Sequence, residues 1–515
     1  MQHRFWLYAL IILLCASALR LVPLSWPSFF EPDNYIYYSV AGQVLANHLI
    51  IPLRDNLSGY PAAPYDEHPG LVVLPALLAA KLRIPLAAVF QFLPAICGMI
   101  GVVMAYLLAY ELSRNRTYSL LAMAFAAFWP AALIRGMASE WRGEVFIEAL
   151  APLAIWLMLK AIQIMHSPKP TRRLGYGALG YIGAAAACAA AWCCILAIWM
   201  WKGGIYIAAP VISFLLLSAV AAAIPRFQKH AAILYAIAIS AAYLILNPTH
   251  RAASLYILEL LPPSASTLLS YFGLGILTGI MGMILLVYLI DSRKAEYEIM
   301  AILSLFMPAI LFTFTQTRWL IFSAVPLAAL SSYFLYYCTR QKPRSLASLG
   351  IAFAWASLLF SAYLGIGFMS QLRPADNITV QFIASLSWLR SNTPSNSLIL
   401  TMWPDGSLVE GIANRTSYTD SVISQNQSKI APFERWLFAH QGNESYIDSL
   451  TQKIPRPVYL LVRRYWFQEK ASIAAEAGLA PDSSTADTNF NSIEAGDAPY
   501  PLLYDENGTL VYALT

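Results

Sequence analysis

Apolar stretches of about 20 residues recur along the first three quarters of the chain, divided by short polar breaks. Each is long enough to cross a bilayer as a helix. Counted by apolar length, about eleven spans begin near residues 5, 86, 118, 145, 175, 204, 230, 267, 297, 319 and 347. The run at 70–82 is shorter and fits a half-span or an interfacial helix. Phe5 to Val22 is as apolar as a signal peptide, but it lacks a small-residue cleavage site and further spans follow. It reads as a retained first helix.

From about residue 370 the pattern changes and no further span follows. "NITVQFIASLSWLR" has apolar residues at Ile378, Phe382, Ile383, Leu386 and Leu389, a helical period. "SLILTMW" and "PVYLLVRR" read as buried strands, and "LLYDENGTLVYAL" as a hairpin turning at Asn507-Gly508. The pattern predicts a polytopic α-helical membrane domain, 1–369, and a soluble α/β domain, 370–515.

Composition supports this division. The chain is 58% hydrophobic and 12% charged, against about 25% charged in soluble proteins. The tail carries 10 Lys and Arg against 15 Asp and Glu, net −5, which leaves +10 on the membrane part. Basic residues cluster at Arg114/Arg116, Lys169/Arg172/Arg173, Arg226/Lys229, Arg293/Lys294 and Arg340/Lys342/Arg344. Eleven spans with the N-terminus inside place all five clusters in the cytoplasm. The loops 23–85, 135–144, 199–203, 247–266 and 316–318 and the tail are then extracytoplasmic. The partners this implies are the lipid bilayer and molecules at its outer face, with no nucleic acid. The six cysteines lie in or beside spans and offer no disulfide framework or zinc spacing.

The candidate chemistry falls on one side of that topology. "FFEPDNYIYYS" (29–39) sets Glu31 and Asp33 among aromatic residues just outside the first span. Oxygen ligands of this kind suit a hard divalent cation, and an acid pair at a helix start is equally favourable against the helix dipole. "RGMASEWRGEVFIEAL" (135–150) spaces Glu140, Glu144 and Glu148 by four, which on a helix puts them on one face, with Arg142 between the first two. Glu148 stands one turn into the span, where a charge is costly and points to pairing or function. Glu259 closes "YILE" in an apolar outer loop, and Arg318 stands at the mouth of a span, fit for a phosphate or for the interface. "MWPDG" (402–406) is a Pro-Asp-Gly turn after a predicted strand. A transporter would set its ionisable groups mid-span, and this chain has almost none there.

In order and spacing these stretches resemble the catalytic subunit of oligosaccharyltransferase of the single-subunit prokaryotic type. "FEPDNYIYY" is similar to the family's first acidic motif, with Asp33 at its metal-binding aspartate. "RGMASEWRGE" resembles the second, and "WKGGIY" (201–206) the Trp-Gly-Gly-Tyr stretch. "YILE" is similar to the loop motif whose glutamate, here Glu259, contacts the acceptor amide. Arg318 sits where the family binds the lipid diphosphate, and "MWPDG" with "GIANRTSYTD" looks like the Trp-Trp-Asp-Tyr-Gly segment, with Trp403 and Asp405 on the acceptor side. The resemblance implies a GT-C membrane glycosyltransferase of about 11–13 transmembrane helices, in a prokaryotic inner or plasma membrane. It would move a glycan from a polyprenyl diphosphate carrier to asparagine in Asn-x-Ser/Thr of an acceptor polypeptide. It implies catalytic roles for Asp33, Glu144 and Glu259, and carrier or acceptor contacts for Arg318, Arg142, Trp403 and Asp405. The implied cofactor is Mn²⁺ or Mg²⁺, with Asp33, Glu144 and Glu140 as candidate ligands.

Two departures bear on these expectations. Arg142 occupies the place of the second motif's first acid, so that it serves as a counter-charge to diphosphate or Glu140 supplies the ligand through a shifted helix start. In "MWPDG" Met402 replaces the first Trp, Pro404 replaces the Asp, and Asp405 is displaced by one. The acceptor is therefore a protein asparagine or another molecule of envelope glycan assembly. A scaffold that has lost catalysis, or a transporter, is the third reading. Seven Asn-x-Ser/Thr triplets, at Asn56, Asn115, Asn377, Asn414, Asn426, Asn443 and Asn507, carry little weight as acceptors in a tail rich in Asn and Ser.

Overall fold

In the computed structural model, most of the chain is described. Residues 201–261, 290–316 and 318–319, with shorter stretches that include 58–67, 166–175, 373–377, 440–444 and 480–487, lie outside the described residues. Contacts divide the chain into two compact units: Met1–Leu24 with Gln91–Leu372, and Ser25–Phe90 with Arg373–Thr515.

The first unit is a helical bundle. Among the described residues six helices are long and apolar enough to cross a membrane: Arg4–Ser25, Leu86–Ser113, Gly143–Ile164, Tyr181–Met200, Leu320–Arg340 and Ala347–Gln371. A bent pair, Ala265–Phe272 and Gly275–Leu286, turned by 92°, has the geometry of a broken span or a re-entrant loop. Gly273, at φ 57, permits that bend. The spans expected near 204, 230 and 297 lie outside the described residues. The run expected near 118 is a helix of 13 residues, Arg116–Phe128. It stops because Pro130 holds Trp129 in extended backbone, φ −66 and ψ 128.

Small residues let these helices approach closely. A Cβ on Gly282 would lie 2.4 Å from the Leu330 carbonyl oxygen, and one on Gly365 2.1 Å from that of Phe128. Such contacts, rather than a hydrophobic drive, hold helices together in lipid. Glu111 pairs with Lys160 at 2.5 Å and joins the ends of Leu86–Ser113 and Gly143–Met165. Trp355, Leu359 and Tyr363 form an exposed stripe at i, i+4 and i+8, the face a membrane helix turns to lipid.

The second unit contains a five-stranded sheet: β1 (Leu398–Leu400), β2 (Thr416–Ser417), β3 (Val458–Arg463), β4 (Leu502–Glu506) and β5 (Thr509–Ala513), in the order β2-β1-β3-β5-β4. β1 runs parallel to β2 and β3, while β5 is antiparallel to β3 and β4. Every residue of β3 is buried, as a central strand requires. The β4–β5 hairpin turns at Gly508, φ 72. The 378–389 periodicity is the helix Val380–Asn392, capped by the Thr379 hydroxyl, which accepts from the Phe382 amide. The fold class is thus that of a helical membrane protein carrying a small α/β domain.

The segment Ser25–Phe90 belongs to the same unit. Its helix Pro69–Leu82, the ambiguous 70–82 run, has 14 residues, about 21 Å at 1.5 Å per residue and short of a span. It packs on Asp33–Ala46, which packs in turn against Trp403–Leu408. The Ser417 amide donates to the Leu57 carbonyl at 2.9 Å, which ties the strap to β2.

Candidate active site

The second acidic stretch forms a loop on the membrane unit, not a continuous helix. After Trp129 comes one helical turn, Pro130–Leu133, and the next helix begins only at Gly143. Two backbone hydrogen bonds hold the chain open between them: Ala138 N donates to Arg20 O at 2.7 Å, and Ser139 N to Gln91 O at 3.0 Å. Ser139 stands at φ 64. Glu140 therefore lies in the loop, and only Glu144 and Glu148 share a helical face. Residues 136–141 are all buried, so the loop is a packed part of the unit.

Three arginines sit among the three glutamates of this stretch. Arg135 Nη1 donates to Glu140 Oε1 at 2.5 Å, and Arg142 Nε lies 3.5 Å from the same oxygen. The Glu140 side chain is wholly buried and that of Arg142 is 19% exposed. Glu144 occupies the first turn of its helix, where the dipole favours a carboxylate. Arg20 is buried and interacts electrostatically with Glu148. Its guanidinium donates to the carbonyls of Ala16, Ala126, Ala127 and Ala132 at 3.2–3.4 Å. The last three flank the break at Trp129-Pro130, where the helix ladder leaves acceptors unsatisfied. Gly98 and Gly136 meet backbone to backbone beside the pair: a Cβ on Gly98 would fall 2.3 Å from Gly136 O and 2.7 Å from Arg20 Nε.

Asp33, Trp403 and Asp405 belong to the second unit. Asp33, half-buried, opens the helix Asp33–Ala46 behind Pro32. Behind it Tyr35, Tyr38 and Phe90 pack around Phe29 at centroid distances of 5.0–5.8 Å. The Tyr35 hydroxyl accepts from the Phe29 amide, and burial pushes its pKa up to about 12. "MWPDG" is the start of a helix, Trp403–Leu408, with Met402 at its N-cap and Pro404 in its first turn, where a missing N–H costs nothing. Asp405 is fully buried: one oxygen accepts from Arg463 Nη1 at 2.9 Å, the other from Trp466 Nε1 at 3.0 Å. Trp403 is half-buried beside it. Glu259 and Arg318 lie outside the described residues.

A π-helical turn, Val409–Ala413, follows and carries Glu410. Glu410 accepts from the Ser417 hydroxyl. Asp55, bonded to Gln43 Nε2 and to Leu57 N, is buried, as is Asp420. Burial, then the charges of Asp420 and Asp55, drive the Glu410 carboxyl well above its ordinary 4.5. A carboxyl raised on folding favours the fold most below 4.5, and that favour is lost as pH rises through the raised value. Glu410→Gln should therefore raise the melting temperature at pH 8 by a few degrees and leave it unchanged near pH 4. Thermal melts of the two proteins across that range check the sign.

The residues present do not fit a divalent ion in the expected way. Glu140 already carries Arg135 and Arg142. Among the described residues no group of three or more His, Cys, Asp or Glu side chains has the arrangement of a metal site. Sequence reading passed over Arg20, Asp55, Glu410 and Arg463. Arg20 carried one signal, a charge near the end of an apolar span. Two triplet residues have structural roles: the Asn115 side chain caps Arg116–Phe128, and Asn414 takes φ 52 after the π turn.

No family model and no curated protein matches the chain. Solved structures do. The archaeal oligosaccharyltransferase AglB from Archaeoglobus fulgidus, in complex with an inhibitory peptide and a dolichol-phosphate, superposes with TM-score 0.73 at 16% identity, over 100% of this chain and 74% of that one. The same enzyme in complex with Zn and sulfate gives TM-score 0.71 at 16% identity, over 98% and 73%. ArnT from Cupriavidus metallidurans, bound to undecaprenyl phosphate, gives 0.52 at 11%, over 99% and 97%. The chain shares their GT-C fold and is an integral membrane protein.

Proposed function

We propose that the chain is a membrane glycosyltransferase, taking a glycan from a polyprenyl diphosphate carrier and attaching it to asparagine of a protein acceptor on the extracytoplasmic face. The observation that supports this most is a fold shared along the whole chain with an oligosaccharyltransferase solved with a peptide and a lipid phosphate. In this reading the bond between the sugar's anomeric carbon and the carrier phosphate breaks, and the phosphate leaves with its electron pair. The acceptor nitrogen forms the new bond to that carbon and loses one proton. Asp33 and Glu259 orient the amide and receive the proton. Arg318 and Arg142 stabilise the charge growing on the leaving phosphate. Glu144, at its helix start, fixes the loop that carries Arg142. Glu140, ion-paired with Arg135 and Arg142, takes no part in the transfer itself. The protein sits in a prokaryotic plasma membrane with its N-terminus cytoplasmic and its α/β domain outside.

One observation favours a second reading, in which the acceptor is not a peptide. Both oxygens of Asp405 are occupied by Arg463 and Trp466, so it does not read an acceptor hydroxyl. It positions the helix that presents Trp403 instead. The two readings separate in one assay: membranes carrying the chain, a polyprenyl diphosphate glycan and a fluorescent Asn-x-Thr peptide, with products resolved by mass spectrometry. Glycosylated peptide is the expected product. A new glycolipid with untouched peptide transfers the case to the second reading. Absence of both products, with a glycan profile that Asp33→Ala leaves unchanged in cells, would end both readings.

A further inference from the structure

Four arginines gather at one end of the membrane unit, on helix termini far apart in sequence. Arg4 lies in the first turn of Gln2–Leu21, and Arg114 follows the end of Leu86–Ser113. Arg116 starts Arg116–Phe128, and Arg340 closes Leu320–Arg340. Aromatic rings join them. Phe5 packs on Tyr106 at 6.0 Å, and the Arg116 guanidinium lies over Phe5 at 5.6 Å. Tyr106 stacks on Tyr110, over which Arg114 lies at 5.9 Å. The Tyr118 hydroxyl meets that of Thr339 at 2.6 Å, and its ring packs edge-on against Tyr336. Arg340 lies over Tyr336 at 4.7 Å. Cations and rings thus alternate in a belt. Among the described residues its one carboxylate is Glu111, which is buried and already held by Arg114 at 2.8 Å and Lys160 at 2.5 Å. The belt is therefore positive.

Membrane orientation alone requires basic residues at one end. It does not require that they rest on rings. Arg116 and Arg340 are exposed, and among the described residues neither guanidinium makes a hydrogen bond or an ion pair. A guanidinium stacked on a ring face keeps the N–H groups at its rim for a phosphate. Trp6 and Tyr8, 65% and 54% exposed on the first helix, mark the level, because such side chains settle where lipid headgroups meet water. The arginines therefore stand at the depth of headgroup phosphates. The 13 residues of Arg116–Phe128, about 20 Å of helix, separate Arg116 from the break at Trp129 and its glutamates.

We propose that this belt binds an anionic phospholipid of the bilayer, its headgroup phosphate held by Arg116 and Arg340. The lipid would tie together the starts of Gln2–Leu21 and Arg116–Phe128 and the end of Leu320–Arg340. The bilayer supplies the partner, so the site is independent of the glycan carrier and the acceptor.

The test uses the full-length chain in detergent, with lipid retention read by native mass spectrometry. The probes are phosphatidylglycerol, phosphatidylcholine with the same acyl chains, and water-soluble glycerol phosphate. Phosphatidylglycerol is expected to bind roughly 30-fold more tightly than phosphatidylcholine, each of two cations at a headgroup contributing about fivefold. Arg116→Gln with Arg340→Gln should reduce that preference to within about twofold, and the corresponding Lys pair should fall between. Tryptophan-fluorescence melts without lipid check that the variants are folded. Arg340→Gln alone, at the exposed last residue of its helix, serves if the pair unfolds and should remove about fivefold. Equal binding of the two lipids by the parent protein overturns the proposal, and so does a preference that these variants leave intact. Glycerol phosphate that displaces phosphatidylglycerol at equal concentration overturns it as well, because the ligand would then be a soluble phosphate and not a lipid.

Discussion

Asp405→Ala should destabilise the α/β unit by about 3–5 kcal/mol, the usual consequence of breaking a buried ion pair from one side. Arg463 is 5% exposed and lies between the rings of Phe382, at 3.9 Å, and Tyr465, at 4.4 Å. Without Asp405 it keeps its charge and has no route to water. Trp466 Nε1 loses its acceptor in the same step. The pair itself adds little net stability. Burial outweighs Arg463 and holds the Asp405 carboxyl above its ordinary 3.8. The penalty comes from the stranded partner, so replacing both members with apolar residues, Asp405→Leu with Arg463→Met, should recover most of the loss. Denaturant titration followed by tryptophan fluorescence measures both variants. An unchanged midpoint for Asp405→Ala, together with lost binding of an acceptor peptide, would instead put Asp405 in contact with the acceptor.

Periodicity carried the architecture far because burial dictates it. In a bilayer every backbone group must be satisfied within the helix, so apolar length alone marks the spans at 5, 86, 145, 319 and 347. The strands at 398 and 458 and the hairpin at 508 were legible for a similar reason, since alternation, apolar runs and Asn-Gly leave few other structures. What periodicity misread was the stretch after Trp129. Glu140, Glu144 and Glu148 have helical spacing, but the chain from Ala138 to Arg142 is held by partners far away in sequence, Arg20 and Gln91. Local pattern is blind to such bonds. The same blindness hid the Asp55–Glu410–Asp420 cluster, whose members are brought together by folding of a strap onto β2.

Arg20→Leu should have the largest effect on the membrane unit, because one side chain performs three tasks there. It satisfies the carbonyls of Ala126 and Ala127, which the break at Pro130 frees from the helix ladder, and that of Ala132, freed where the turn Pro130–Leu133 ends. It interacts electrostatically with Glu148, which is 3% exposed and whose Oε2 has no hydrogen-bond partner among the described residues. It also fills the space against Gly98 that fixes the approach of Gly136. Leucine keeps the volume and removes the first two, at a cost of about 3–5 kcal/mol where the Glu148 carboxyl is ionised. Adding Glu148→Gln should return part of that, a positive coupling in a double-mutant cycle, but not the carbonyl bonds. The loop carrying Arg135, Glu140 and Arg142 keeps the bond from the Ala138 amide to the backbone carbonyl of residue 20 but loses the guanidinium bond to the Ala132 carbonyl just before it. Site-resolved maleimide labelling reads this directly. Cys97, 6% exposed beside Gly98, should become reactive in Arg20→Leu at temperatures where the parent protein protects it. Protection equal to the parent's would mean that helix packing holds the loop without the arginine. The guanidinium would then be positioned for chemistry rather than for structure.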